Sequence, residues 1–82
     1  MGHVDSTDDM QDMDDVEVFT AERPRLVGLA TRVLGNPGDA EDVVQQAWLR
    51  LEGTDARIDN LPGWLTTVTT RLCLDRLRAR TP

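Results

Sequence analysis

Thr67, Arg71, Leu74 and Arg78 recur at spacings of four, three and four, which places them on one strip of a helix, and Thr66, Thr70 and Leu77 line a neighbouring strip. Guanidinium, hydroxyl and methyl groups in that arrangement can grip a partner, but they include no activated nucleophile and no base. Groups that could turn over a substrate are scarce. His3 is the only histidine and Ser6 the only serine, so no catalytic triad can be assembled. Cys73 is the only cysteine, which rules out an internal disulfide and a multi-cysteine zinc site and fits a reducing compartment. The aspartates match no calcium loop, no Gly-x-x-x-x-Gly-Lys string occurs, and Glu41 and Asp42 fall in the solvated first turn of a helix. The chain therefore reads as a binding protein and not an enzyme, with no cofactor and no metal.

Charge is distributed unevenly over the 82 residues, whose net value is −6. Residues 1–22 hold eight acids and no arginine, residues 23–35 hold three arginines and no acid, residues 36–60 hold six acids and two arginines, and residues 61–82 hold four arginines and one acid. The acidic total thus hides a basic C-terminal segment that leaves nucleic-acid binding open. No apolar run approaches the roughly 20 residues of a membrane-spanning helix, and no signal-peptide layout opens the chain, so a cytoplasmic location without membrane contact is expected. Met1, Gly2 and Ser6 formally match an N-myristoylation string, but the eight acids behind it would be repelled by an anionic membrane, and the lipid reading is set aside.

The elements that must position these residues are helical. Residues 1–14 have little to bury and read as a disordered acidic tail, followed by one domain over residues 15–82. Leu26, Leu29, Ala30 and Val33 form the stripe of a first helix ending at Leu34; Pro24 is expected in its first turn, with Val16 to Arg23 forming a short extra turn or a kinked extension. Gly35-Asn36-Pro37-Gly38 stops that helix. Asp39 is the expected N-cap of a second helix over residues 39–52, with Val43, Val44, Ala47, Trp48 and Leu51 inward and Asp42, Gln45, Gln46, Leu49 and Arg50 outward. After a loop over residues 53–60, Asn60 caps a third helix that has Pro62 in its first turn and runs to about Arg80; Leu61, Trp64, Leu65, Val68 and Leu72 face inward and the stripe continues into Asp75 and Ala79. The expected fold is all-α, a compact bundle of three main helices with no strand.

The string from Gly35 to Leu51, and within it Asp-Ala-Glu-Asp-x-Val-Gln-x-x-Trp-Leu, resembles region 2.2 of the sigma-70 family, in its extracytoplasmic-function group. Pro62 to Arg80, with Trp64-Leu65 and Asp75-Arg76-Leu77-Arg78, resembles regions 2.3 and 2.4 in the same order, and Glu22 to Leu34 resembles the first helix of that domain. The resemblance spans about residues 16–80 and within the group is nearest to actinobacterial members of the sigma-J type, whose full-length chains add a SnoaL-like C-terminal domain.

The resemblance implies a promoter-specificity subunit of bacterial RNA polymerase. It assigns docking on the β′ clamp coiled-coil to Asp39, Glu41, Asp42, Gln45, Gln46 and Leu49, a set that charge and periodicity alone leave as a solvated helix face. It also implies capture of the −10 element as a single strand, with a base turned out at the loop over residues 53–60. Arg57, Arg71, Arg76, Arg78 and Arg80 can supply charge, Asn60, Thr66, Thr67 and Thr70 base-edge contacts, and Leu74 an apolar surface. Trp48 reads as core, while Trp64 divides between core and stacking platform.

Three positions depart from the family pattern: Leu61 where Phe is usual, Thr66 where Tyr or Phe is common, and Arg71 where Asn is common. Stacking is thus less well supplied than in most relatives. The chain ends at Pro82, where the family continues into a helix-turn-helix domain that reads the −35 element, so a fragment is expected. An anti-sigma regulator or the protein's own C-terminal domain is the further expected partner. Two other readings compete: a helical protein-interaction module without nucleic acid, and an acyl carrier, which lacks the serine it needs at a helix start.

Overall fold

The computed structural model describes residues 14–55 and 57–80. Three helices account for nearly all of them: α1 (Asp15–Leu34), α2 (Pro37–Glu52) and α3 (Leu61–Arg80). No strand occurs among the described residues. Residues 1–13, with most of the expected tail and the Met-Gly string, lie outside the described part.

Helix α1 is continuous through Pro24, so of the two expectations for Val16 to Arg23 it is the extension that forms and not a separate turn or short helix. An interior proline costs about 3 kcal/mol. Against this, Phe19 is buried, which contributes about 2 to 3 kcal/mol, and its ring lies 5.0 Å from that of Trp48 at a 40° tilt, adding roughly 1 kcal/mol. Pro24 and Thr20, whose carbonyl loses its partner to the proline, are both exposed and can be hydrated. The buried stripe is Phe19, Leu26, Ala30 and Leu34, with Leu29 half-buried and Val33 turned outward, a phase shifted from the one expected.

Only Gly35 and Asn36 separate α1 from α2. Gly35 takes the left-handed conformation (φ 73°) and returns its N–H to the Thr31 carbonyl at 2.7 Å, closing α1. Asn36, not Asp39, caps α2: its Oδ1 accepts from the Asp39 N–H at 3.1 Å, and Pro37 opens the helix instead of blocking it. The side chain of Asp39 is thereby released for another purpose.

At α3 the expected cap is present, Asn60 Oδ1 accepting from the Gly63 N–H at 3.0 Å. A Cβ at Gly63 would lie 2.7 Å from Asn60 Nδ2, so any larger residue there must push the capping side chain aside. The inward stripe of α3 is Leu61, Leu65, Thr69, Leu72 and Cys73. Asp75 and Ala79 are exposed, and Leu77 packs against the core rather than lining a contact strip.

Two apolar clusters stack along the bundle. Ala30, Leu34, Ala40, Val43, Ala47, Leu72 and Cys73 form one, and Phe19, Leu26, Val44, Leu51, Leu61 and Leu65 the other. Their membership makes α1 and α3 run in the same direction with α2 opposed, and the α2 and α3 residues that remain outside the clusters face different sides of the molecule. No described helix is long and apolar enough to cross a membrane.

Candidate functional site

The outward arc of α2 carries Glu41, Asp42, Gln45, Gln46 and Leu49, all exposed. Leu49 is 55% exposed and falls near the middle of the arc, an apolar point ringed by polar side chains. Asp39 stands at the edge of this arc and is half-buried because it turns toward α3.

There it meets two arginines. Arg76 Nη1 lies 3.4 Å from Asp39 Oδ1 and 3.7 Å from Asp42 Oδ2, and Arg80 Nη2 pairs with Asp39 Oδ2. Arg80 also donates to the Leu34 carbonyl at 3.2 Å, one of the carbonyls left without a partner at the end of α1. One clasp thus ties together the end of α1, the start of α2 and the end of α3. Asp39 and Asp42, expected on a polymerase-docking face, and Arg76, expected on DNA, are brought together with each other.

The strip Thr67, Arg71, Leu74 and Arg78 is exposed along its whole length, and Leu74 is 46% exposed. By helical angle it lies on the far side of α3 from Arg76 and Arg80. The arginines therefore divide: Arg71 and Arg78 face solvent, while Arg76 and Arg80 face the acidic start of α2. Arg78 is paired with Asp75 one turn earlier, at 2.5 Å, with both side chains mostly exposed. Arg71 has no carboxylate partner among the described residues. Exposed pairs such as Arg78 with Asp75 are worth little and exchange readily for a phosphate.

The remaining expected residues lie toward the start of α3. Arg57 sits in the loop with its guanidinium 3.9 Å from Asp59, both side chains almost fully exposed. Asn60 uses its carbonyl oxygen as the cap and leaves its amide N–H groups outward. Trp64 is half-buried against the second cluster, as is Trp48. Thr66 and Thr70 are half-buried along the border with α1. Leu61 is core, which accounts for an aliphatic residue at that position.

Sequence reasoning missed Arg25. Its Nη2 donates to Thr66 Oγ1 at 2.9 Å, its Nε donates to Glu22 at 2.7 Å, and the Thr66 hydroxyl in turn donates to the Pro62 carbonyl at 2.9 Å. The acid-free run of three arginines over residues 23–35 was the signal that α1 carries charge of its own. Cys73 is fully buried, and burial pushes its thiol above the ordinary thiol range, with Arg76 opposing in part. Among the described residues no His, Cys, Asp and Glu cluster could hold a metal ion.

The sequence profile of the Sigma-70 region 2 family matches residues 18–82. Over 65 residues the chain is 48% identical to the ECF RNA polymerase sigma factor SigJ of Mycobacterium tuberculosis, covering 79% of this chain and 21% of that protein. Over 62 residues it is 48% identical to the probable ECF RNA polymerase sigma factor SigI of the same species, covering 74% of this chain and 21% of that protein. The ECF RNA polymerase sigma factor SigK of Mycolicibacterium vanbaalenii is 37% identical over 73 residues, which cover 79% of this chain and 37% of that protein. The chain therefore spans between about a fifth and two fifths of these relatives. No solved structure matches it.

Proposed function

The chain belongs to the Sigma-70 region 2 family, and from that membership we propose that it serves as the second domain of an extracytoplasmic-function RNA polymerase sigma factor, over residues 15–82. In this reading α2 docks on the β′ clamp coiled-coil and α3 holds the −10 element as a single strand, in the cytoplasm, while further domains of the full-length protein contact the −35 element or a regulator. The domain performs no covalent chemistry.

The observation that carries the reading is the presence of two exposed faces of different chemistry on different helices. Leu49, surrounded by Glu41, Asp42, Gln45 and Gln46, has the make-up of a protein contact that concentrates its energy in one desolvated apolar anchor. The Thr67, Arg71, Leu74 and Arg78 strip offers two cations for phosphates, one hydroxyl for a base edge and an isobutyl group for a base face. Because the two faces point to different sides of the bundle, polymerase and DNA can be held at once. With Arg76 occupied by Asp39 and Asp42, the strand is gripped chiefly by Arg71 and Arg78, with Arg57 and Asn60 at the loop.

The test is capture of the 82-residue protein on an immobilised β′ clamp coiled-coil at about 0.15 M salt. The native chain is retained, and Leu49→Glu weakens retention by at least about 30-fold, the equivalent of a 2 kcal/mol hot spot. Equal retention of both proteins, or of neither, would refute docking through α2. A binding curve for single-stranded DNA that does not respond to salt would refute the strip as a phosphate contact.

A further inference from the structure

The bond from Arg25 to Thr66 joins α1 to the face proposed to hold the strand, and it leaves Nη1 of the guanidinium unused. Glu22 Oε1 takes Nε at 2.7 Å and lies 2.6 Å from Nη2, and Thr66 takes Nη2 at 2.9 Å, while Arg25 remains 48% exposed as a side chain. The Thr66 hydroxyl spends its hydrogen on the Pro62 carbonyl and accepts from Arg25, so little hydrogen-bonding capacity remains for a base. The exposed donors at that point of the surface belong to Arg25. Arg32 stands seven residues further along α1, two turns on and on the same side of the helix; it is exposed and has no acidic partner among the described residues. Gly28 lies between them in sequence, and a Cβ there would meet nothing within 4 Å, so the helix surface beside the two arginines is open at that point.

We propose that Arg25 and Arg32 form a second line of phosphate contacts, parallel to the α3 strip, so that the single strand lies along the border between α1 and α3. The inference deepens the reading of α3 as the strand-binding helix and rests on it. Two observations favour a nucleic acid over a protein partner for this border. Residues 23–35 carry three arginines and no acid, and the α3 side of the border ends in Thr66, Thr70 and the exposed Arg71 and Arg78. Cations in two rows match a chain that bears one negative charge per nucleotide. Glu22 acts as a positioning residue: by taking Nε and Nη2 it fixes the plane of the Arg25 guanidinium and leaves Nη1 for a phosphate.

The experiment measures anisotropy of a labelled oligothymidine of about 16 nucleotides, the upper end of ordinary single-strand site sizes, across a salt series with the 82-residue protein. Arg25→Gln and Arg32→Gln are each expected to weaken binding about two- to fivefold at low salt and to reduce the log–log salt slope by about 0.7, the value of one phosphate contact on a single strand. Arg23→Gln removes the same charge from the same helix at a position about 160° around it from Arg25, and sets the effect of net charge alone. Arg25→Lys keeps the charge and loses the fork, and falls between the native protein and Arg25→Gln. Arg32 has no partner to lose, so its variant separates binding from folding, and helicity by circular dichroism checks both. If Arg71→Gln weakens binding while Arg25→Gln and Arg32→Gln match Arg23→Gln, the α1 line is overturned and the α3 reading stands. If Arg71→Gln also matches Arg23→Gln, both are overturned.

Discussion

Arg71 and Arg76 are five residues apart on one helix and do opposite things. Arg71 stands on the outer strip with no carboxylate partner among the described residues, whereas Arg76 is 28% exposed as a side chain and divided between Asp39 and Asp42. Five residues turn a helix through about 140° beyond a full revolution, enough to move a side chain from the solvent face to the flank of a neighbouring helix. The comparison teaches that a run of arginines is not one basic patch. In α3 half of the positive charge is spent inside the molecule, fastening the ends of three helices, and the part directed outward is smaller than composition indicates.

The sharpest way to break this division is to remove each arginine in turn and measure DNA and stability separately. Arg71→Gln is expected to weaken single-strand binding about fivefold at low salt, with the salt slope falling by about 0.7 and the melting temperature unchanged. Arg76→Gln is expected to leave DNA affinity within about twofold and to lower the melting temperature instead. Should Arg76→Gln lose as much DNA affinity as Arg71→Gln, the two faces would not be functionally distinct.

A second contrast lies on the buried side of the same helix. Thr69 is fully buried, and its hydroxyl has no hydrogen-bond partner. A buried unsatisfied hydroxyl costs about 1 kcal/mol or more, so Thr69→Val, which replaces it by a methyl of similar shape, is expected to stabilise the domain by about 1 kcal/mol in urea unfolding. DNA affinity is expected to stay the same, because the inner stripe does not reach the outer strip. A loss of stability would mean that the hydroxyl finds a partner in solution.

A smaller effect measures the clasp itself. Asp39 and Arg76 are each about a third exposed, so their pairing is partly screened and worth about 0.5 kcal/mol, read as the coupling in a cycle of Asp39→Asn, Arg76→Gln and the double variant. The coupling should shrink as salt is raised. Zero coupling at low salt would reduce the clasp to coincidental proximity.

How much of this was legible in the sequence depends on how far apart the relevant atoms are along the chain. Gly35, the Asn60 cap and the outward position of Leu49 follow from local rules, and all three were readable. Asn36 was overlooked as the α2 cap because Asp39 satisfies the same local preference, and only the bond from the Asp39 N–H to Asn36 decides between them. The inner stripe of α3 was misphased because Trp64, Val68, Thr69, Leu72, Cys73 and Leu77 offer apolar or small residues around more than half of the helix, and burial by α1 and α2 selects among them. Arg25 on Thr66 and Arg76 on Asp39 span 41 and 37 residues. No periodicity within one helix reports a contact between two.

Cys73 lies one turn before Arg76 and Leu77, fully buried, and burial raises the pKa of its thiol while the Arg76 charge lowers it in part. In the unfolded chain the thiol ionises near pH 8.5. Above that pH the unfolded state holds fewer protons than the native state, so stability falls as pH rises and levels off once the buried thiol itself ionises. Cys73→Ala removes a group that ionises at lower pH in the unfolded than in the native state and should flatten the alkaline slope of unfolding free energy, whatever it does to the absolute stability. Arg76→Gln removes the opposing charge, leaves burial uncompensated, and should extend the decline to higher pH. Arg71→Gln, on the outer strip, should leave the slope unchanged. An alkaline slope that persists in Cys73→Ala would show that another group titrates there, and a shift caused by Arg71→Gln rather than Arg76→Gln would reverse the assignment of the two arginines to their faces.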